Sequence, residues 1–408
     1  MDRKQNKINR RGLLAGAVGL TAAAALGAKP ASGKYRVGII GHTGRGGYGH
    51  GLDKLWRDVP QGKIVAVADP NPRALASAIK RTGAEKGYAD YRKMFDESKL
   101  DILTVGPTYI DKHCEMVTAA AERKVRGIYI EKPLCRTLEE ADKMVAACEK
   151  NKVKLAMAHQ SFYVPTMSRV AEIISSGKLG KILEFRGRCK EDNRGGGVGL
   201  WVLGTRILAM MKRFGGDPVS CTATVLQNGK PITAKDVAEC RSYGIGPLAG
   251  DEIHAMYRLA GGAVGYFDSV KRAGAGWPSR YGMQIFGTKG VLDIHSSELF
   301  FPSVYFLDDP LWYPGQSGKK WTTVTSAGVG KPEPLKGENS HHGGNVLAVK
   351  DLISSIEKGS QPLASLAEAR ANLEMIVAVY ESHRLGKAVS FPLKNRRNPL
   401  TMLGKQRG

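Results

Sequence analysis

The apolar positions fall into two textures along the chain. From Lys34 to about His159, short and almost uniformly apolar runs (Val37 to Ile40, Lys63 to Ala68, Ile102 to Gly106, Gly127 to Ile130, Lys154 to His159) alternate with stretches of helical periodicity. Runs without polar alternation fit strands buried on both faces, and helices between them fit a parallel, doubly wound α/β sheet. Asp111 to Lys124 places Met116, Ala119 and Ala120 on one helical face. Thr137 and Glu140 have capping-box spacing at the start of a helix running to about Lys150.

Beyond His159, Pro165 to Ser176 reads as an amphipathic helix and Ile182 to Cys189 as a strand. A glycine run around Gly195 to Gly199 leads into a helix from about Leu203 to Phe214. Ser220 to Leu226, Glu252 to Leu259, Ala263 to Val270, Tyr281 to Phe286 and Val291 to His295 show strand-like polar alternation. Residues 310–342 are loop-rich, and Asn345 to Glu357 and Ser365 to Leu385 are helical, Ser365 and Glu368 forming a second capping pair. The pattern predicts an N-terminal Rossmann domain at residues 34–159. An α+β domain with an open, mostly antiparallel sheet follows at 160–395, flanked by a leader at 1–33 and a basic tail at 396–408.

The candidate chemistry begins at the first strand. Tyr35 to Gly49 reads YRVGIIGHTGRGGYG, and the second apolar run closes on Asp69. Strand, glycine loop and second strand ending in an acid form the order of a dinucleotide-binding βαβ unit, whose helix N-terminus attracts a pyrophosphate. Gly41, Thr43, Gly44 and Gly46 occupy the loop, with Thr43 where the middle glycine of G-x-G-x-x-G would stand. Asp69 suits ribose hydroxyls and repels a 2′-phosphate, which favours NAD; Arg73 keeps NADP open.

Composition narrows the class further. The formal net charge is +23, but residues 1–34 and 391–408 hold much of it, leaving about +12 on the rest, a basic surface suited to anionic ligands. No basic stripe with interleaved aromatics points to nucleic acid. Lys4, Lys7, Arg10 and Arg11 precede an apolar, Ala- and Gly-rich stretch from Gly12 to Ala28. Arg10-Arg11 before Gly-Leu-Leu resembles a twin-arginine export signal, so a periplasmic or other extracytoplasmic location is expected, without stable membrane insertion after processing. Six cysteines without C-x-x-C spacing read as structural, and no metal site is expected. His341-His342 reads as a loop entering a helix, with substrate contact open to it, and Trp201, Trp277, Trp312 and Trp321 are open to core packing or sugar stacking.

Glu131-Lys132-Pro133 directly follows the fourth strand. With the glycine loop before it, the capped helix after it, the sheet-rich second half and the turn at Gly287 to Gly290, the chain resembles the Gfo/Idh/MocA family of NAD(P)-dependent oxidoreductases over about residues 34–395. The resemblance implies that Gly41, Thr43, Gly44, Gly46, Asp69, Pro107 and Glu131 hold the dinucleotide, with Thr108 nearby. It also implies that Lys132 touches both nicotinamide and substrate hydroxyl. A lysine beside a nicotinium ring feels a positive neighbour and partial desolvation, both of which favour a proton relay; a surface salt bridge to Glu131 is its plainer alternative. Family dehydrogenases carry an acid and, four residues on, a histidine, where this chain has Val202 and Arg206. Valine cannot titrate, and arginine clamps a carboxylate or phosphate rather than acting as a base. The base then lies among His159, Tyr163, Asp192 and His254, or Lys132 acts alone with water, or catalysis is lost.

The implied function is hydride transfer at a carbinol carbon of a sugar, sugar acid, cyclitol or glycoside, with Arg206 and His254 as substrate contacts. Scarcity of free NAD outside the cytoplasm favours a tightly bound cofactor. It also opens a glycosidase- or lyase-like internal redox cycle, while the altered acid–histidine pair opens a catalytically degenerate binding protein. A homo-oligomer, dimer or tetramer, paired through the open sheet face is the family expectation.

Overall fold

The computed structural model describes residues 33–271, 280–296, 303–312 and 314–404. The proposed leader and Trp277 lie outside them.

Six strands form the first sheet: β1 (Tyr35–Ile40), β2 (Gly62–Ala68), β3 (Lys86–Tyr88), β4 (Ile102–Val105), β5 (Gly127–Ile130) and β6 (Lys154–Met157). They are parallel in the order β3-β2-β1-β4-β5-β6. Ile40 pairs with both Ala68 and Val105, and Val105 with Ile130, so four strands end at one level. Helices α1 (Pro72–Thr82), α2 (Tyr91–Glu97), α3 (His113–Glu122) and α4 (Leu138–Lys150) connect them. At α4 the Thr137 side chain caps Glu140 N as its spacing predicts. The Glu140 carboxylate, however, reaches back to Arg136 N at 2.8 Å, so the reciprocal half of the box is shifted by one residue.

One expectation fails: no α-helix follows the glycine loop. The chain from His42 to Lys54 runs in turns and ends in a single 3₁₀ turn, Leu55–Asp58. Gly44, Gly46, Gly47, Gly49 and Gly51 all take positive φ, and so many glycines cost a helix about 1 kcal/mol each relative to alanine. The sheet face left open is filled from the far end of the chain. Val346, Val349, Leu352 and Ile353 of the helix His341–Lys358 share one apolar cluster with Val37, Ile39, Trp56 and Val67. The division at residues 159 and 160 is therefore crossed, because this helix of the second half is a layer of the first domain.

The second sheet is mostly antiparallel, as expected. Ile182–Arg188 lies at its middle, parallel to Val264–Val270 and antiparallel to Gly282–Gly287. The helices Thr205–Gly215 and Leu366–Leu385 pack on one face. The other face is open and carries His254 and Met256. Within the loop-rich 310–342 stretch, Thr322–Thr325 and Gly328–Val329 extend this sheet at its edge.

Candidate active site

The ends of β1, β2, β4 and β5 open on one crevice, where parallel sheets bind ligands. Two loop glycines are required by space as well as by φ. A Cβ on Gly46 would lie 2.5 Å from Thr108 N, and one on Gly49 would lie 2.7 Å from Gly106 O. These two glycines let the loop pack directly against the exits of β4 and β5. Asp69, fully buried, accepts from Thr43 N at 3.1 Å, Thr43 Oγ1 at 2.9 Å and Asn71 N at 2.9 Å. Thr43 thus fastens the loop to the acid, and a ribose hydroxyl must share or displace that hydroxyl contact. Beside Asp69 lies a cavity of about 250 Å³, lined in part by Gly41, Pro70, Asp90, Tyr91 and Arg92. Arg92 is paired to Asp90 and Glu115. These residues fit the adenosine half of a dinucleotide, with acids rather than free cations at the ribose. A larger cavity of about 1060 Å³ lies at the opposite, N-terminal ends of β5 and β6, lined by Lys124, Arg126 and Lys152 among others. It holds none of the candidate catalytic groups.

β5 delivers Glu131 and Lys132 to the crevice floor, followed by a cis Lys132–Pro133 bond. Glu131 is fully buried and accepts from His50 N and Nδ1, both at 2.7 Å, and from Lys132 N at 3.1 Å. Burial pushes its pKa up, but the His50 contacts and the Lys132 charge outweigh burial and hold it at about 2. Lys132, also buried, donates from Nζ to Val202 O at 3.1 Å. Val202 lies in a π-helical turn, Leu200–Gly204, that leads directly into the Thr205–Gly215 helix. Its side chain carries no chemistry, but its carbonyl positions the ammonium. His113, buried behind this floor, contacts Pro107 O, Pro133 O and Leu134 O, tying the β4 and β5 exits together.

Above the floor sit His159 and Arg206. Asn372 Nδ2 donates to Thr205 O at 3.0 Å, so its Oδ1 accepts from Thr205 Oγ1 at 2.6 Å. With its proton committed, that hydroxyl accepts from His159 Nε2 at 3.4 Å, leaving Nδ1 with the lone pair. Burial, then Arg206 and Lys132, lower the pKa of His159 to about 3. Arg206 is 4% exposed and donates to Gln160 Oε1 at 3.4 Å, while its Nε and Gln160 Nε2 have no hydrogen-bond partner. His341, the first residue of the His341–Lys358 helix, stacks on His50 with ring centroids 6.3 Å apart. Its pKa also falls to about 3 through burial and Arg206.

The other sequence candidates lie elsewhere. Tyr163 donates to Asp351 Oδ2 and accepts from Ala364 N, both at 3.0 Å, in a structural tie. His254 is exposed on the open sheet face between Glu252 and Asp268, away from the crevice. Asp192 is paired with Arg194 and Lys190. These positions remove Tyr163, His254 and Asp192 from the cluster around Lys132. Sequence reading missed His50, His113 and Gln160 and left His341 in a loop; only the paired histidines before Gly343-Gly344 signalled any of them. Among the described residues no cluster of three or more His, Cys, Asp and Glu side chains could hold a metal, and no helix is long and apolar enough to cross a membrane.

Two family descriptions match the chain: "Oxidoreductase family, NAD-binding Rossmann fold" over residues 35–159 and "Oxidoreductase family, C-terminal alpha/beta domain" over residues 171–391. The chain belongs to the Gfo/Idh/MocA oxidoreductase family. It is 27% identical to levoglucosan dehydrogenase of Pseudarthrobacter phenanthrenivorans over 57% of this chain and 64% of that protein, and so spans less than two thirds of that relative's length. A longer match, 23% identical over 88% of this chain and 97% of the other, is to scyllo-inositol 2-dehydrogenase (NAD(+)) of Bacillus subtilis. The solved structure of a levoglucosan dehydrogenase with NADH and L-sorbose shares the fold, with a TM-score of 0.70 at 22% identity over 88% of this chain and 99% of that one.

Proposed function

We propose that the protein is an NAD-dependent oxidoreductase acting at a carbinol carbon of a polyhydroxylated small molecule such as a sugar, sugar acid or cyclitol. The observation that carries this reading is the buried Lys132 ammonium, held by Val202 O at the end of β5 in an NAD-binding Rossmann domain. Bound NAD supplies the hydride acceptor. Asp69 and the Gly46–Gly49 loop bind and orient it, and Lys132 holds or moves the proton at the substrate hydroxyl. A histidine with a pKa near 3 is a weak base at neutral pH, so His159 orients rather than deprotonates in the unliganded site. The sugar and cyclitol activities of the relatives, levoglucosan dehydrogenase and scyllo-inositol 2-dehydrogenase, support the substrate class.

Lys132→Ala should abolish NADH formation across an aldose, aldonate and cyclitol panel while leaving NADH binding, followed by its fluorescence, within about threefold. Unchanged turnover would remove Lys132 from the mechanism.

The twin-arginine-like leader motivates a second element of the proposal: export with the cofactor already bound, and redox recycled within one turnover. Mass spectrometry of the isolated protein for a retained nucleotide tests retention, and fractionation tests location. Pairing of two copies across the open sheet face, where Met256 is exposed, is proposed as the oligomeric contact.

A further inference from the structure

Arg206 is a buried cation held without a carboxylate. Among the described residues no acid pairs with it, and it donates instead to the neutral Gln160 Oε1 at 3.4 Å. The charged groups acting on His159 are Arg206, Lys132 and Glu131, and the same three act with His50 on His341. Glu131 is already engaged by His50 and the Lys132 amide, so among the described residues the Arg206 guanidinium has no acid of its own. Desolvating an unpaired cation costs several kcal/mol, and folds retain such a cost where a ligand relieves it.

The N-terminus of the long His341–Lys358 helix meets the same cluster. A Cβ on Gly344, in its first turn, would lie 2.5 Å from Gln160 O, and Ser340 Oγ already caps Gly343 N at 3.1 Å. Two donors there lack partners, Arg206 Nε and Gln160 Nε2. Both side chains are more than nine-tenths buried.

Resting on the oxidoreductase reading above, we infer that the substrate carries a carboxylate, as in a uronate or aldonate, seated on Arg206 and Gln160 at this helix end while Lys132 addresses the reacting hydroxyl. The arginine that replaces the family's histidine is then a substrate-selecting residue rather than a relic.

The test uses the NADH-loaded full chain and matched pairs: D-glucuronate with D-glucose, D-galacturonate with D-galactose, and D-gluconate with D-glucitol. Titration calorimetry reads the affinities. Each acid is expected to bind at least tenfold tighter than its neutral partner. Arg206→Met should erase that preference, leave NADH affinity unchanged and raise the thermal midpoint of the unliganded protein, since it removes an unpaired buried charge. Equal affinity for acids and neutral partners, or an Arg206→Met protein that melts lower and keeps the preference, overturns the inference. Failure of NADH itself to bind would instead overturn the oxidoreductase reading.

Discussion

Replacing Glu131 with glutamine removes one buried charge and almost no volume, and the structure fixes what should follow. The carboxylate accepts three hydrogen bonds, two from His50 and one from Lys132 N. A glutamine oxygen can keep the His50 pair, but its amide then points two donors at the Lys132 N–H, and the buried Lys132 loses its nearest negative charge. The folded pKa of about 2 against an ordinary 4.5, at about 1.4 kcal/mol per pH unit, is worth about 3 kcal/mol of stability. Because the folded value is depressed, that stabilisation is fully present above pH 4.5 and drains away as pH falls toward 2. Urea unfolding of wild type and Glu131→Gln should differ by about 3 kcal/mol at pH 7, and the gap should narrow as pH drops from 4.5 to 3. A gap below about 1 kcal/mol at pH 7, or one unchanged by acidification, would show that Glu131 is not the anchor of the crevice floor.

Three other outcomes are expected. His159 and His341 have folded values near 3 against 6.5 unfolded; the folded state resists their protonation, so stability is full above pH 6.5 and falls below it by about 1.4 kcal/mol per pH unit for each histidine. Urea midpoints at pH 7, 6 and 5 should show this slope, and His159→Gln should reduce it. Gly46→Ala combines a φ of +88° with a clash at Thr108, so NADH affinity by fluorescence titration should fall at least tenfold. Tyr163→Phe, which leaves Asp351 and Ala364 N short of a partner, should cost about 1–3 kcal/mol in urea unfolding with kcat unchanged.

Much of the fold was legible because strand and helix periodicities are local. Gly127–Ile130, Glu252–Leu259, Val291–His295 and Leu138–Lys150 fall where their apolar spacing and caps place them. The missing helix after β1 was legible too, had the cost of its glycines been set against the motif that usually carries one. The return of His341–Lys358 to the first sheet was not. Nothing in a helix's own period says which of two apolar surfaces it will cover, and this choice, made across some 300 residues, also carries His341 into the site. Asp69, Glu131, Lys132, His159 and Arg206 were visible as residue types in order, whereas His50 and Gln160 acquire roles only through contacts between distant segments.

Val202 and Arg206 show why a role cannot be assigned by position alone. Val202 has no titratable side chain, yet its π-turn carbonyl takes up the Lys132 ammonium at 3.1 Å. The lysine is oriented there by a dipole. A full negative charge at that point would have neutralised Lys132; a carbonyl cannot. The site's positive balance therefore rests on both positions: Val202 offers Lys132 no negative side chain, and Arg206 adds a guanidinium without an acid beside it among the described residues. Histidine at position 206 could shed its charge in such a field, as His159 and His341 do; arginine cannot. Positions 202 and 206 thus act electrostatically rather than by proton transfer, and such an arrangement lowers the energy of the whole site only when the molecule that enters brings the missing negative charge with it.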